Sequence, residues 1–199
     1  MKVLVTGFEP FGGENVNPSW EAVKILPDVV GNAEIVKYQL PVSFKKVREL
    51  LPEILSKEKP EVIILTGQAG GRVNITVERV AINIMDSMKE DNDGYKPKDE
   101  PIFENAPAAY FSTLPIKRIV KALRENKIPA MVSNTAGTYV CNTAMFTALH
   151  YVATNDLSAK AGFIHVPYIP EQVLEKNVPS MSLEMIKRAI EIAIRESLD

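Results

Sequence analysis

Along this chain, short apolar runs that end in turn residues alternate with stretches whose apolar positions recur every three to four residues. That alternation predicts an α/β fold. Residues 3–6 read as a buried strand ending at Gly7, followed by the loop FEPFGGENVN and a helix opening at Asn17-Pro18. Asn is a preferred N-cap and Pro suits the first helical turn. Residues 34–40 predict a second strand, and residues 44–57 an amphipathic helix interrupted by Pro52. Residues 62–66 form a strongly apolar strand ending at GQAGGR, and residues 74–83 alternate as a strand with two different faces, one of which carries Glu78. Further on, residues 116–126 predict a helix with Ile116, Ile119, Val120 and Leu123 inward and a solvated basic face. Residues 129–134 predict a strand, 141–152 a helix, 162–166 a strand and 183–198 a closing amphipathic helix.

Between them, residues 86–107 are polar and interrupted by Pro97, Pro101 and Pro107, which predicts a long loop or hairpin arm. Such lengths are uncommon unless the segment covers a site or meets a partner. A plain solvated excursion explains it as well. Four strands end in unusual loops, GFEPFGG, GQAGGR, SNTAGTYVC and HVPYIPEQ. In a largely parallel sheet these gather along one edge, where ligands of open α/β folds bind. The glycines do not make a nucleotide site: GFEPFGG lacks the Gly-Lys-Ser/Thr ending of a P-loop, and GQAGG lacks dinucleotide spacing and precedes a strand pattern. Tight turns account for most of them.

At 199 residues and 46% hydrophobic content, the chain is the size of one domain, taken as 1–199 with an excursion at about 86–107. The net charge is −2 and no basic run exceeds Lys45-Lys46 or Lys117-Arg118, which argues against nucleic acid and anionic membranes as partners. No leader or membrane span is apparent, so a cytoplasmic protein is expected. With one cysteine and two histidines lacking zinc-site spacing, neither an internal disulfide nor a metal or other cofactor is expected.

The single cysteine, Cys141, lies in SNTAGTYVCN, where a strand pattern gives way to a helix. Lone cysteines are commonly small buried hydrophobes. Here Gly137 permits a sharp turn that delivers Cys141 to the first turn of the helix, where unpaired N–H groups and the helix dipole favour thiolate over thiol. A thiolate needs a base or an ion-pair partner. His150 is nine residues along the same helix, a rotation of about 900° and a rise of about 13 Å, so it faces away and is too far. His165, near the end of the strand GFIHV, belongs to the same sheet edge as Cys141. Cys/His hydrolases orient the imidazole with a carboxylate or amide. Glu78 is the candidate, because it interrupts a stretch rich in β-branched apolar residues. On spacing alone it is equally a solvent-facing strand residue or the mate of Arg79.

Four segments, GFEPFGGENVNPS, GQAGGRVNITVERVAIN, AMVSNTAGTYVCN and GFIHVPYIPEQ, together resemble the pyroglutamyl peptidase I family, the pyrrolidone-carboxylate peptidases. The similarity extends over essentially the whole chain. It implies a cysteine exopeptidase that removes N-terminal pyroglutamate from peptides, with a triad of Glu78, Cys141 and His165. It further implies a three-layer α/β/α sandwich around a mixed, largely parallel sheet of phosphorylase/hydrolase-like shape, and a homotetramer. Phe8 and Phe11 match the family's aromatic walls for the pyroglutamyl ring, and Asn17 and the backbone around Gln68 match positions near it. Asn17 is also explained as a helix N-cap and the two phenylalanines as core aromatics. Backbone N–H groups near Cys141 are the natural oxyanion donors, with Arg79 a further candidate. Two rivals use the same sheet edge. A nucleoside phosphorylase-like enzyme would place Arg72 or Arg79 on phosphate, and a non-catalytic small-ligand binding module would need no thiol.

Overall fold

The structure, a computed structural model, describes residues 1–198. Its strands are β1 (Lys2–Phe8), β2 (Val29–Val30), β3 (Ala33–Leu40), β4 (Val62–Gln68), β5 (Ile75–Glu78), β6 (Val80–Ile82), β7 (Ala109–Phe111), β8 (Ala130–Ser133) and β9 (Lys160–Val166). Its helices are α1 (Pro18–Lys24), α2 (Phe44–Glu58), α3 (Ile116–Glu125), α4 (Val140–Thr154) and α5 (Leu183–Ser197). Seven strands form a sheet in the order β2-β3-β1-β4-β9-β5-β8. Strands β3, β1, β4 and β9 run parallel, whereas β2 is antiparallel to β3 and β5 antiparallel to β9; β8 follows β5 in parallel.

Alternation along the strands sorts the apolar side chains into two layers. Val3, Val5, Ile64, Ile164 and Val166 face α1, α3 and α5, while Leu4, Ile63, Leu65 and Phe163 face α2 and α4. Both faces of the central strands are therefore buried, as their near-continuous apolar sequences require. The result is the expected α/β/α sandwich with a mixed sheet. Pro52 stays inside α2 without ending it.

The reversed direction of β5 and β8 changes one expectation. GFEPFGG, GQAGGR and HVPYIPEQ leave the carboxyl ends of the parallel strands β1, β4 and β9, but SNTAGTYVC leaves a strand running the other way. It still reaches the same region because β8 stops early. Ser133 is in register with Glu78, only two rows from the Thr76–His165 pair. The strand expected over residues 74–83 is broken at Arg79, whose backbone changes partners. Its N–H donates to Ser133 O at 2.8 Å and its carbonyl accepts from Ser112 N at 2.8 Å. Beyond it, β6 leaves the main sheet and pairs with β7, which the sequence did not signal.

Residues 86–107 contain no regular strand pair, only a bridge between Met85 and Glu100. The segment is fastened to the sheet edge at several points. Asp91 Oδ2 accepts from Phe44 N at 2.9 Å, at the start of α2. Asn92 Nδ2 donates to Glu9 Oε1 at 2.9 Å and to Pro10 O at 3.0 Å. Thr138 Oγ1 donates to Asp86 O at 2.7 Å, and Tyr139 Oη to Glu90 O at 3.0 Å.

Candidate active site

Cys141 lies in the first turn of α4. Gly137, with φ of 77°, makes the turn that leads to it, in the left-handed region that glycine enters without strain. Asn142 holds this helix start in place. Its buried side chain accepts from Ile82 N at 3.0 Å and donates to Ile82 O at 2.9 Å and Ile84 O at 3.0 Å, tying α4 to β6. No side chain caps α4, so the first-turn N–H groups beside Cys141 stay available as donors. The sulfur rests on Gly67 of β4, where a Cβ would lie 2.8 Å from both Cys141 Sγ and Phe163 Cζ. Only glycine leaves room for it. Gly67 is the register partner of His165, so the thiol that rests on Gly67 and the imidazole meet at the same row of the sheet.

His165 Nδ1 is 2.8 Å from Glu78 Oε1, and both side chains are buried. Burial by itself would raise the Glu78 pKa, but the hydrogen bond from His165, with smaller lowering effects of the Ser133 hydroxyl beside it and of Arg72, brings it below the ordinary 4.5. An ionised Glu78 fixes the tautomer: Nδ1–H donates and Nε2 keeps its lone pair for a proton. Burial also lowers the His165 pKa from 6.5, against the raising effect of Glu78, so the resting ring is neutral.

The cysteine departs from expectation. Burial, and after it the Glu78 carboxylate, push its thiol up to about 12, against smaller lowering effects of Arg72 and of its own backbone N–H. Although the residue as a whole is partly exposed, the sulfur is tucked against Gly67 and Phe163. Desolvation outweighs the helix dipole, and the resting group is thiol rather than thiolate. Among the described residues no hydrogen bond joins Cys141 to His165. Nucleophile and base are commonly this loose before substrate arrives.

One recess joins the remaining residues. Phe8, Phe11, Asn17, Gln68 and Cys141 line it together with Val42, Tyr139 and Val140. It is narrow, with about 10 Å³ open to the centre of a water-sized sphere, about enough for one water. Phe11 and Tyr139 meet across it with ring centroids 6.1 Å apart, and Phe8 packs on Phe163 at 6.4 Å. Asn17 does both things weighed for it: it caps α1 through Oδ1, which accepts from Ser19 N at 3.1 Å and Ser19 Oγ at 2.8 Å, and it lines the recess. Its Nδ2 donates to Glu9 O at 3.0 Å, leaving one N–H uncommitted. The Gln68 side chain is held by Gln172, whose Nε2 donates to Oε1 at 2.9 Å.

Arg79, the further oxyanion candidate, has a partner of its own. Its Nε donates to Asn134 Oδ1 at 2.8 Å, and it follows Glu78 at the point where the strand breaks. His150 keeps a packing role: Nδ1 is 3.0 Å from Tyr110 Oη, and the ring stacks on Phe103 at 4.9 Å. Sequence reasoning missed Arg72 as a partner of Glu78, Tyr139 as a wall, and Asn142 and Gln172 as supports. For Arg72 a signal existed, since GQAGGR ends in a cation six residues before a carboxylate that needed one.

A family model described as pyroglutamyl peptidase matches residues 1–199. The pyrrolidone-carboxylate peptidase of Thermococcus kodakarensis is 68% identical over 195 residues, covering 98% of this chain and 95% of that protein. That of Thermosipho africanus is 56% identical over 199 residues, covering 100% of this chain and 97% of the relative. Among solved structures, the pyrrolidone carboxyl peptidase from Thermococcus litoralis superposes with a TM-score of 0.95 at 50% identity, covering 100% of this chain and 93% of that one. The pyroglutamyl peptidase I from Bacillus amyloliquefaciens gives 0.96 at 49% identity, with coverage of 98% and 94%.

Proposed function

The chain belongs to the pyroglutamyl peptidase family, and from that premise we propose that Cys141, His165 and Glu78 carry out the removal of N-terminal pyroglutamate in the recess beside them. The enzyme is a cysteine-type hydrolase acting on peptides. The observation that carries the site assignment is the recess, which the thiol shares with Phe8, Phe11, Asn17 and Gln68.

Neutral His165 takes the thiol proton at Nε2 as Cys141 Sγ bonds to the carbonyl that joins pyroglutamate to the next residue. The imidazolium formed in this step is stabilised by Glu78, which acts through the ring and touches no reacting atom. The negative charge on the carbonyl oxygen falls to the uncapped N–H groups at the start of α4, with Arg79 left to Asn134. The imidazolium then protonates the departing amine, and water hydrolyses the thioester.

Specificity follows from desolvation. An apolar recess strips water from whatever enters, which costs several kcal/mol for an unpaired ammonium and far less for a neutral lactam. The lactam carbonyl can accept the uncommitted N–H of Asn17, and the lactam N–H can donate to backbone near Gln68. We read the chain as one domain over residues 1–199. The family resemblance supports a cytoplasmic homo-oligomer, a tetramer. No helix among the described residues is long and apolar enough to cross a membrane. The phosphorylase alternative loses support because Arg72 and Arg79 are already engaged by Glu78 and Asn134.

The test is release of a chromogenic amine from its pyroglutamyl amide, with the alanyl and prolyl amides as controls. Wild type should cleave the pyroglutamyl substrate alone, and Cys141→Ser should lose roughly 10³-fold or more of kcat/KM while keeping its fold. Undiminished turnover by a folded Cys141→Ser protein would remove the cysteine from the mechanism.

A further inference from the structure

Arg72 lies in the turn between β4 and β5. Its Nη1 donates to Glu78 Oε1 at 2.7 Å and to Thr76 Oγ1 at 2.5 Å, and its Nη2 is 3.5 Å from Thr135 O, in the loop before Cys141. Oε1 is the same atom that accepts from His165 Nδ1 at 2.8 Å. Glu78 Oε2 is buried with no hydrogen-bond partner among the described residues, and the nearby Ser133 hydroxyl donates instead to Thr135 O at 3.0 Å. The two short hydrogen bonds of this carboxylate therefore converge on one oxygen, shared by two donors of which only the guanidinium is permanently charged.

A fully buried carboxylate without a cation is strongly disfavoured, and a neutral imidazole supplies no charge. We propose that Arg72 is a positioning residue of this site: by sharing Glu78 Oε1 with His165, its guanidinium keeps the carboxylate ionised and aimed while limiting its pull on the imidazole. This rests on the reading of Glu78, Cys141 and His165 as the reacting set. The division of Oε1 keeps His165 in its unprotonated form before substrate binds, and leaves the carboxylate in place to stabilise the imidazolium once the thiol proton has moved. Thr76 anchors the guanidinium through the same nitrogen, Nη1, that reaches Glu78. The outer side of Arg72 borders a cavity of about 460 Å³ that Asn74, Thr76 and Ser133 also line, so a small cation has a route to this position from solvent.

The experiment compares wild type, Arg72→Gln, Arg72→Lys and Arg72→Ala, each checked for folding by circular dichroism. His165 is titrated by NMR in histidine-labelled protein, with the His150 signal identified from His150→Asn. In Arg72→Gln the undivided carboxylate should raise the His165 pKa, and with it the acid limb of kcat/KM, by about one pH unit. Arg72→Lys should keep both near wild type, and millimolar guanidinium should restore activity and the acid limb to Arg72→Ala. A folded Arg72→Gln protein whose His165 titrates as in wild type overturns the proposal, whatever its activity. So does a loss of kcat/KM with an unmoved acid limb, which is what a purely structural arginine gives. If wild type failed to cleave pyroglutamyl amides, the peptidase reading would fall, while the NMR comparison would still decide the role of Arg72.

Discussion

At Cys141, solvation and charge act in opposite directions. The helix start and Arg72 favour the thiolate, but burial of the sulfur and the nearby Glu78 carboxylate hold the thiol, with a pKa of about 12. Proton transfer to His165 therefore accompanies attack instead of preceding it. Two consequences are measurable. The kcat/KM profile should rise from acid pH with a midpoint below 6.5, where His165 loses its proton, and then stay level through neutrality with no limb from the thiol. Alkylation of the resting enzyme by iodoacetamide should accelerate continuously with pH; a rate already on a plateau near pH 6 would indicate a preformed ion pair. These reacting residues were legible because the chain has few of them: one cysteine, two histidines and a glutamate breaking an apolar strand. Tyr139 was not legible, since an aromatic in a loop carries no mark of what it faces, and it meets Phe11 only through the fold.

Among the elements, α4 has the most exacting placement, because its first turn carries the nucleophile. Asn142 provides that placement from a buried side chain, with three hydrogen bonds to the half-buried backbone of β6 and the residues after it. Asn142→Ala leaves those backbone groups without partners. At roughly 1–3 kcal/mol for a buried unsatisfied group, the variant should lose about 2–4 kcal/mol of unfolding free energy and also lower kcat by displacing Cys141. Denaturant unfolding checks the first and steady-state kinetics the second; an unchanged midpoint would mean that the contacts at Ile82 and Ile84 are dispensable. Helices and central strands could be read from periodicity and turn residues. The break at Arg79 could not, because residues 74–83 keep the same alternation on both sides of it while the backbone exchanges Ser133 for Ser112. Short β7 likewise exists only because β6 is there to pair with.

At the scale of the whole molecule, the buried Glu78–His165 pair links stability to pH. Both pKa values are lowered by folding. Below pH 6.5 the unfolded imidazole takes up a proton before the folded one does, and below 4.5 the unfolded carboxyl does the same. The unfolded state therefore binds more protons in both windows, and stability falls as pH falls. The thermal midpoint should decline from pH 7 to pH 4, less steeply in a folded Glu78→Gln, His165→Asn double variant, and an equal decline in the two proteins would place the effect elsewhere. The sandwich itself was visible in the sequence, but the reversal of β5 and β8 was not, since strand direction depends on pairings that a single strand does not encode. The narrow recess has a further consequence. A five-membered lactam is several times bulkier than one water, so the walls of the recess must widen for it to enter. Only the widened fraction of molecules binds, and an apparent dissociation constant equals the intrinsic one divided by that fraction. Affinity measured for pyroglutamyl ligands then reports an equilibrium between two shapes of the empty enzyme as well as the contacts made by the ring.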